Sequence, residues 1–109
     1  MNQVKIKPLS VNKAWQGKRY KTPEYKDYRM LLRYTLPDVA PIPKPMLLYV
    51  RFYVSSKASD LDNLLKPFID ALQDKYGFDD KEIYEIHCSK RIVKKGEESI
   101  TFNFEQYDL

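Results

Sequence analysis

From Met46 onward the chain alternates: Met46, Leu48, Val50, Phe52 and Val54 are apolar, with Tyr49, Arg51, Tyr53 and Ser55 between them. A period of two over that length predicts a strand with one buried face. From Asp60 to Tyr76 the period changes to that of a helix. Leu61, Leu64, Leu65, Phe68, Ile69 and Leu72 fall on one side of a 3.6-residue wheel, and Gly77 follows as a C-terminal stop. Thr22-Pro23-Glu24 reads as another helix start: an N-cap, a proline at the first helical position and an acid in the positive first turn. That helix carries Tyr25, Tyr28, Leu31, Leu32 and Thr35 and stops before Pro37. Residues Val4 to Lys7 form a short strand candidate ended by Pro8, and 9–22 read as an irregular basic loop. Residues 37–45 are a stiff, proline-punctuated connector. Tyr84, Ile86, Cys88 and Ile92 suggest a further strand. A turn at Lys95-Gly96-Glu97 then leads to a last strand with Ile100, Phe102 and Phe104. The predicted order is β-α-β-α-β-β. This is an α+β domain, with a single mixed sheet of about four strands and two helices on one face.

The length, 109 residues, suits one domain spanning 1–109, and an apolar content of 43% supports a folded core. No segment approaches the roughly 20 apolar residues that cross a bilayer, and Met1 to Lys7 lacks the apolar core of a signal peptide. A lone cysteine, Cys88, cannot make an intrachain disulfide. The expectation is a cytoplasmic protein. The net charge of +4 is compatible with a polyanionic partner but does not establish one. Its distribution adds more. Lys13, Lys18, Arg19 and Lys21 share one segment with Trp15 and Tyr20, while Lys90, Arg91, Lys94 and Lys95 form a second group.

The chemistry-bearing feature is acidic. Asp60-Leu61-Asp62-Asn63-Leu64-Leu65-Lys66 opens the second long helix, Asp70 follows on the same helix, and Asp79-Asp80 comes just after Gly77. Asp62, Lys66 and Asp70 stand at i, i+4 and i+8, opposite the apolar stripe. Each residue has an ordinary reading: Asp60 as an N-cap, Lys66 as an ion-pair partner of Asp62 or Asp70, and Asp79-Asp80 as a solvated turn. Taken together they are also a donor set for a hard cation, if the turn brings one of the last pair toward Asp60 and Asp62. Such an ion, beside basic surface, is equipment for phosphodiester hydrolysis, in which Lys66 could contact the scissile phosphate. Pro67 inside this helix removes the bond to the Asn63 carbonyl. It reads either as a local kink opening that backbone toward the site or as a proline tolerated by packing.

At these residues the chain resembles the RusA family of Holliday-junction resolvases. The resemblance lies in Asp60-x-Asp62-Asn63-x-x-Lys66, then Asp70-Ala71-Leu72, then Asp79-Asp80 before a strand. It extends to Pro8-Leu9-Ser10-Val11-Asn12-Lys13, Tyr20-Lys21-Thr22 and the helix containing Tyr25. It covers roughly Pro8 to Val93. The resemblance implies a homodimeric, magnesium-dependent endonuclease of bacterial or prophage origin, with manganese as a substitute ion. It would cut four-way junctions by paired symmetric nicks, with one active site per subunit and no small-molecule cofactor. Carried over by position, Asp60, Asp62 and Asp80 become the catalytic, metal-binding acids and Lys66 the catalytic lysine. Asp79, Asp70 and Asn63 rank second. Family members often carry arginines immediately before the first aspartate; here Lys57, Ala58 and Ser59 stand there.

Two-fold symmetry suits a junction with two equivalent strands to cut. Lys13, Lys18, Arg19 and Lys21 are the expected phosphate contacts, which position DNA without reading sequence. Trp15 is either a wedge at the crossover or a core or interface residue. His87 reads as a structural histidine and Cys88 as buried packing. Three rivals remain: a non-catalytic branched-DNA-binding protein of the same fold, a structural or regulatory dimer with solvated acids, and a nuclease for flaps or forks.

Overall fold

The computed structural model describes residues 1–10, 15–16 and 20–108, with backbone alone at 15–16 and 20–21. Its elements are β1 (Asn2–Val4), β2 (Trp15–Gln16), β3 (Tyr20–Lys21), α1 (Pro23–Thr35), β4 (Met46–Val54), α2 (Leu61–Tyr76), a 3-10 turn (Asp80–Glu82), β5 (Ile83–Ile92) and β6 (Ser99–Gln106). The main sheet has the order β1-β6-β4-β5. β4 and β5 run parallel, joined by α2 as the crossover, while β6 pairs antiparallel with both β4 and β1. The sheet is therefore mixed and the domain α+β, as the hydrophobic pattern predicts. No helix among the described residues is long and apolar enough to cross a membrane.

β4 is the centre of the core. Its residues alternate between buried and half-buried over all nine positions, with Met46, Leu48, Val50, Phe52 and Val54 inward. Ile100 and Phe102 of β6 lie beside this row in register with Phe52 and Val50. From above, α2 inserts Phe68, whose ring meets Phe52 and Phe102 edge-on at centroid distances of 5.8 and 5.6 Å. Such T-shaped pairs set the positive ring edge against a negative face. A single cluster of buried side chains joins sheet and helices.

Three local expectations need correction. The first strand is Asn2–Val4, not Val4 to Lys7. Val4 pairs with Ile100, and β6 has only Ser99 beyond that point, so the ladder ends. Ile6 and Pro8 continue the buried alternation without strand pairing. Second, the supposedly irregular loop contains a small antiparallel ribbon, Trp15–Gln16 against Tyr20–Lys21. Two-residue strands are too short for a periodicity to declare them. Third, Leu31 does not face the core: it is 49% exposed, and α1 buries Tyr25, Tyr28 and Leu32. That narrower stripe, at i, i+3 and i+7, is what a helix at the margin of a two-layer domain needs to cover.

The helix ends follow their sequence signals. The Thr22 hydroxyl accepts the Tyr25 N–H at 3.2 Å, with Pro23 just inside. α2 ends at Gly77, whose φ of 74° is left-handed and whose N–H donates to the Gln73 carbonyl at 2.8 Å. α2 runs continuously through Pro67, which lies fully buried, so core packing sustains the turn that lacks its backbone bond. β5 is an edge strand. Its apolar residues Tyr84, Ile86 and Ile92 are 57, 38 and 47% exposed, which the sequence pattern alone does not reveal.

Candidate functional site

The parallel β4–β5 pair and the α2 crossover place the start of α2 at the far end of β4. Asp60 is the residue before the helix, with an extended backbone (φ −80°, ψ 131°). An aspartate there ordinarily caps a free amide. This one makes no side-chain capping bond. Among the described residues its side-chain partner is Asn63, whose Nδ2 donates weakly to Asp60 Oδ2 at 3.4 Å. The carboxylate is thus left available. Asp62 follows, exposed in the first turn.

Lys66 lies on the same side of α2 and meets two other acids. Its ammonium donates to Asp70 Oδ1 at 2.9 Å and stands 3.9 Å from Asp80 Oδ2. Asp70 in turn accepts the Tyr25 hydroxyl on Oδ2 at 2.9 Å. Tyr25 is fully buried. Burial, and then the bond to the Asp70 carboxylate, push its phenol up to about 12. Asp70 is therefore held between a lysine and a tyrosine, with each oxygen committed.

The two aspartates after Gly77 divide their roles. Asp79 caps the 3-10 turn: its carboxylate accepts the Lys81 N–H at 3.1 Å, and Glu82 Oε1 accepts the Asp79 N–H at 3.2 Å. The bond from the Lys81 amide is the main cause that lowers its pKa. Asp80 lies toward Lys66 instead.

The carboxylate oxygens suit a hard divalent cation in kind. Their arrangement does not yet make a cradle for one. Among the described residues no three acidic, histidine or cysteine side chains converge closely enough to hold an ion. The chain brings together Lys66, Asp70 and Asp80, and separately Asp60 and Asn63.

One participant was not foreseen from the sequence. Lys90 of β5 donates to the Ser59 carbonyl at 2.6 Å and to the Lys57 carbonyl at 3.2 Å. It pins the loop immediately before Asp60. Its position two rows from the end of β4, opposite Phe52, brings it there, and only the parallel pairing of β4 with β5 creates that row. A cleft of about 700 Å³ opens beside this loop, lined by Lys7, Leu9, Ser56, Ser59, Asp60 and Asn63 among others.

Of the expected phosphate contacts, Lys13, Lys18 and Arg19 lie outside the described residues, and Lys21 is described only as backbone of β3. The Trp15 side chain likewise lies outside what is described. His87 stands on the sheet face opposite the core, stacked on Tyr49 at 5.0 Å and 2.6 Å from Glu85 Oε2, consistent with a structural residue. Cys88 is half-buried, and burial pushes its thiol up to about 11.

The family model described as endodeoxyribonuclease RusA matches residues 5–101. No curated protein matches the chain.

Proposed function

Because the chain belongs to the RusA family of endodeoxyribonucleases, matched over residues 5–101, we propose that it is a magnesium-dependent nuclease that resolves four-way DNA junctions in recombination and repair. Manganese is the expected substitute ion. The working form is a homodimer that nicks two opposed strands symmetrically, since a two-fold particle meets two equivalent strands of the junction.

One observation carries the assignment of the site. Asp60 occupies a capping position and does not cap. Its ordinary structural use is therefore absent among the described residues, while Asp79, three residues beyond the helix, shows what a capping aspartate in this protein looks like. Asp60, Asp62 and Asp80 are proposed as the acids of the reaction, and Lys66 as the residue that meets the phosphate. These acids are the ones that would take up the ion, which would polarise the phosphate. The described residues of one chain offer them no common cradle. What the chain's own residues supply is an aspartate pair at the start of α2, of which Asp60 makes no capping bond, and an ammonium directed to the Asp80 side.

The test is cleavage of a synthetic four-way junction with magnesium. Wild type is expected to nick opposed strands; Asp62→Asn is expected to bind the junction and leave it intact. Equal cutting by both proteins overturns the site assignment. Junction binding without any metal-dependent product supports the non-catalytic alternative. Faster cutting of flaps or forks than of junctions shifts the substrate instead.

A further inference from the structure

We infer that Tyr25 and Asp70 are positioning residues for Lys66, fixing the carboxylate against which its ammonium is held and so aiming that ammonium toward Asp80. The inference rests on the nuclease reading above and extends it to a residue of α1, a helix that carries none of the proposed acids.

The geometry is a relay of fixed directions. A lysine side chain is a point charge on a flexible four-carbon stem, and an exposed ion pair holds it only weakly. An aspartate carboxylate also turns broadly about its last torsion. Here that freedom is removed from behind. Tyr25 is 0% exposed, so its ring is fixed by the core. Its hydroxyl donates to Asp70 Oδ2 at 2.9 Å. With that oxygen held, Oδ1 faces Lys66 Nζ at 2.9 Å, and the ammonium is left 3.9 Å from Asp80 Oδ2. Arg29 strengthens the same junction of helices: its Nη1 donates to the Tyr25 hydroxyl at 3.4 Å, and its Nη2 pairs with Asp74 on α2. Of the four side chains Tyr25, Arg29, Asp70 and Asp74, Asp70 alone touches Lys66, and Tyr25 and Arg29 of α1 stand behind that carboxylate. Asp70, a secondary candidate on sequence grounds, is assigned to holding the lysine.

The experiment compares wild type, Tyr25→Phe, Asp70→Asn, Lys66→Met and the double variant Tyr25→Phe/Lys66→Met. Single-turnover cleavage of a four-way junction is followed with magnesium, over hours for the slow variants, and junction affinity is measured without it. Tyr25→Phe keeps the ring and removes only the hydroxyl, which donates to Asp70 and accepts weakly from Arg29. It is expected to slow cleavage about tenfold at saturating protein, with junction affinity unchanged, because misplacing a reacting group costs rate rather than binding. Asp70→Asn is expected to slow it at least as much. In the Lys66→Met background, Tyr25→Phe is expected to add nothing, since neighbours acting through one group are not additive. An equal loss from Tyr25→Phe with and without Lys66 overturns the inference, as does a loss confined to affinity. A second readout stands apart from activity. The Lys66 ammonium is observed by ¹⁵N NMR in the uncomplexed protein, where wild type is expected to show slower proton exchange than Tyr25→Phe. If wild type fails to cut the junction, the nuclease reading falls, and the NMR comparison still decides the positioning role: equal exchange in both proteins overturns it.

Discussion

Replacing Tyr28 with phenylalanine is expected to stabilise this protein. Tyr28 is 5% exposed, and its buried hydroxyl has no hydrogen-bond partner among the described residues. The Leu9 backbone approaches it, but not in hydrogen-bonding geometry. Burying a hydroxyl without a partner costs about 1–3 kcal/mol on mutational scales. Removing the oxygen leaves a void of roughly 10–15 Å³, which at about 24 cal/mol per Å³ returns only ~0.3 kcal/mol as a penalty. The net gain is about 1–2 kcal/mol. With a urea slope of about 1–3 kcal/mol per molar for a small domain, the midpoint rises by roughly 0.3–2 M. Urea unfolding followed by circular dichroism and fluorescence measures it, with coincidence of the two probes as the two-state check. Junction cleavage is expected to be unchanged, because Tyr28 is not one of the proposed site residues. A variant less stable than wild type by about 1 kcal/mol would refute the reasoning, since the hydroxyl would then have to be bonded in solution.

Three further outcomes are expected. Tyr25 and Tyr76 are pushed up to about 12, chiefly by burial, and Tyr28 is pushed higher still. The unfolded phenol ionises near 10, so folding holds these protons more tightly. Stability is then full below about pH 10 and falls as the pH rises toward 12. Urea midpoints across pH 8–12 test this, and Tyr28→Phe is expected to make the fall shallower; a midpoint constant to pH 12 would count against it. Gly77→Ala meets no atom within 4 Å but must adopt a φ of 74°, so its cost is backbone strain alone, about 1 kcal/mol, partly recovered by Gly77→Asn. A midpoint shift well beyond that in urea would point to an unseen steric contact. Lys90→Met removes the two bonds to the Ser59 and Lys57 carbonyls. Amide exchange around Ser59 is expected to quicken about tenfold, since charged hydrogen bonds contribute about 1.5–3 kcal/mol, while exchange in β4 stays the same. Unchanged exchange near Ser59 would show that the loop does not depend on the lysine.

The chain's own pattern determined much of this protein. The alternation from Met46 to Val54 settles the central strand, because a period of two can bury one face only in that conformation. Thr22-Pro23 and Gly77 settle helix ends, because caps and left-handed backbone are local chemistry. The order of Asp60, Asp62, Lys66 and Asp80 marked the proposed site through its likeness to a family. Position in space was another matter. β1 ends where β6 runs out of residues to pair with it, and Leu31 is exposed because α1 lies at the margin of the core. No window of sequence contains either fact. The same holds for the site. Asp60 and Asp79 look alike as capping aspartates, and only the fold shows that Asp79 caps while Asp60 does not. Tyr25 reaches Asp70 across 45 positions of sequence, and Lys90 reaches Ser59 across 31. Local propensity and period are written residue by residue. Which side chains meet depends on how α1, α2 and β5 are laid around β4, and that is decided by burying the whole apolar surface at once.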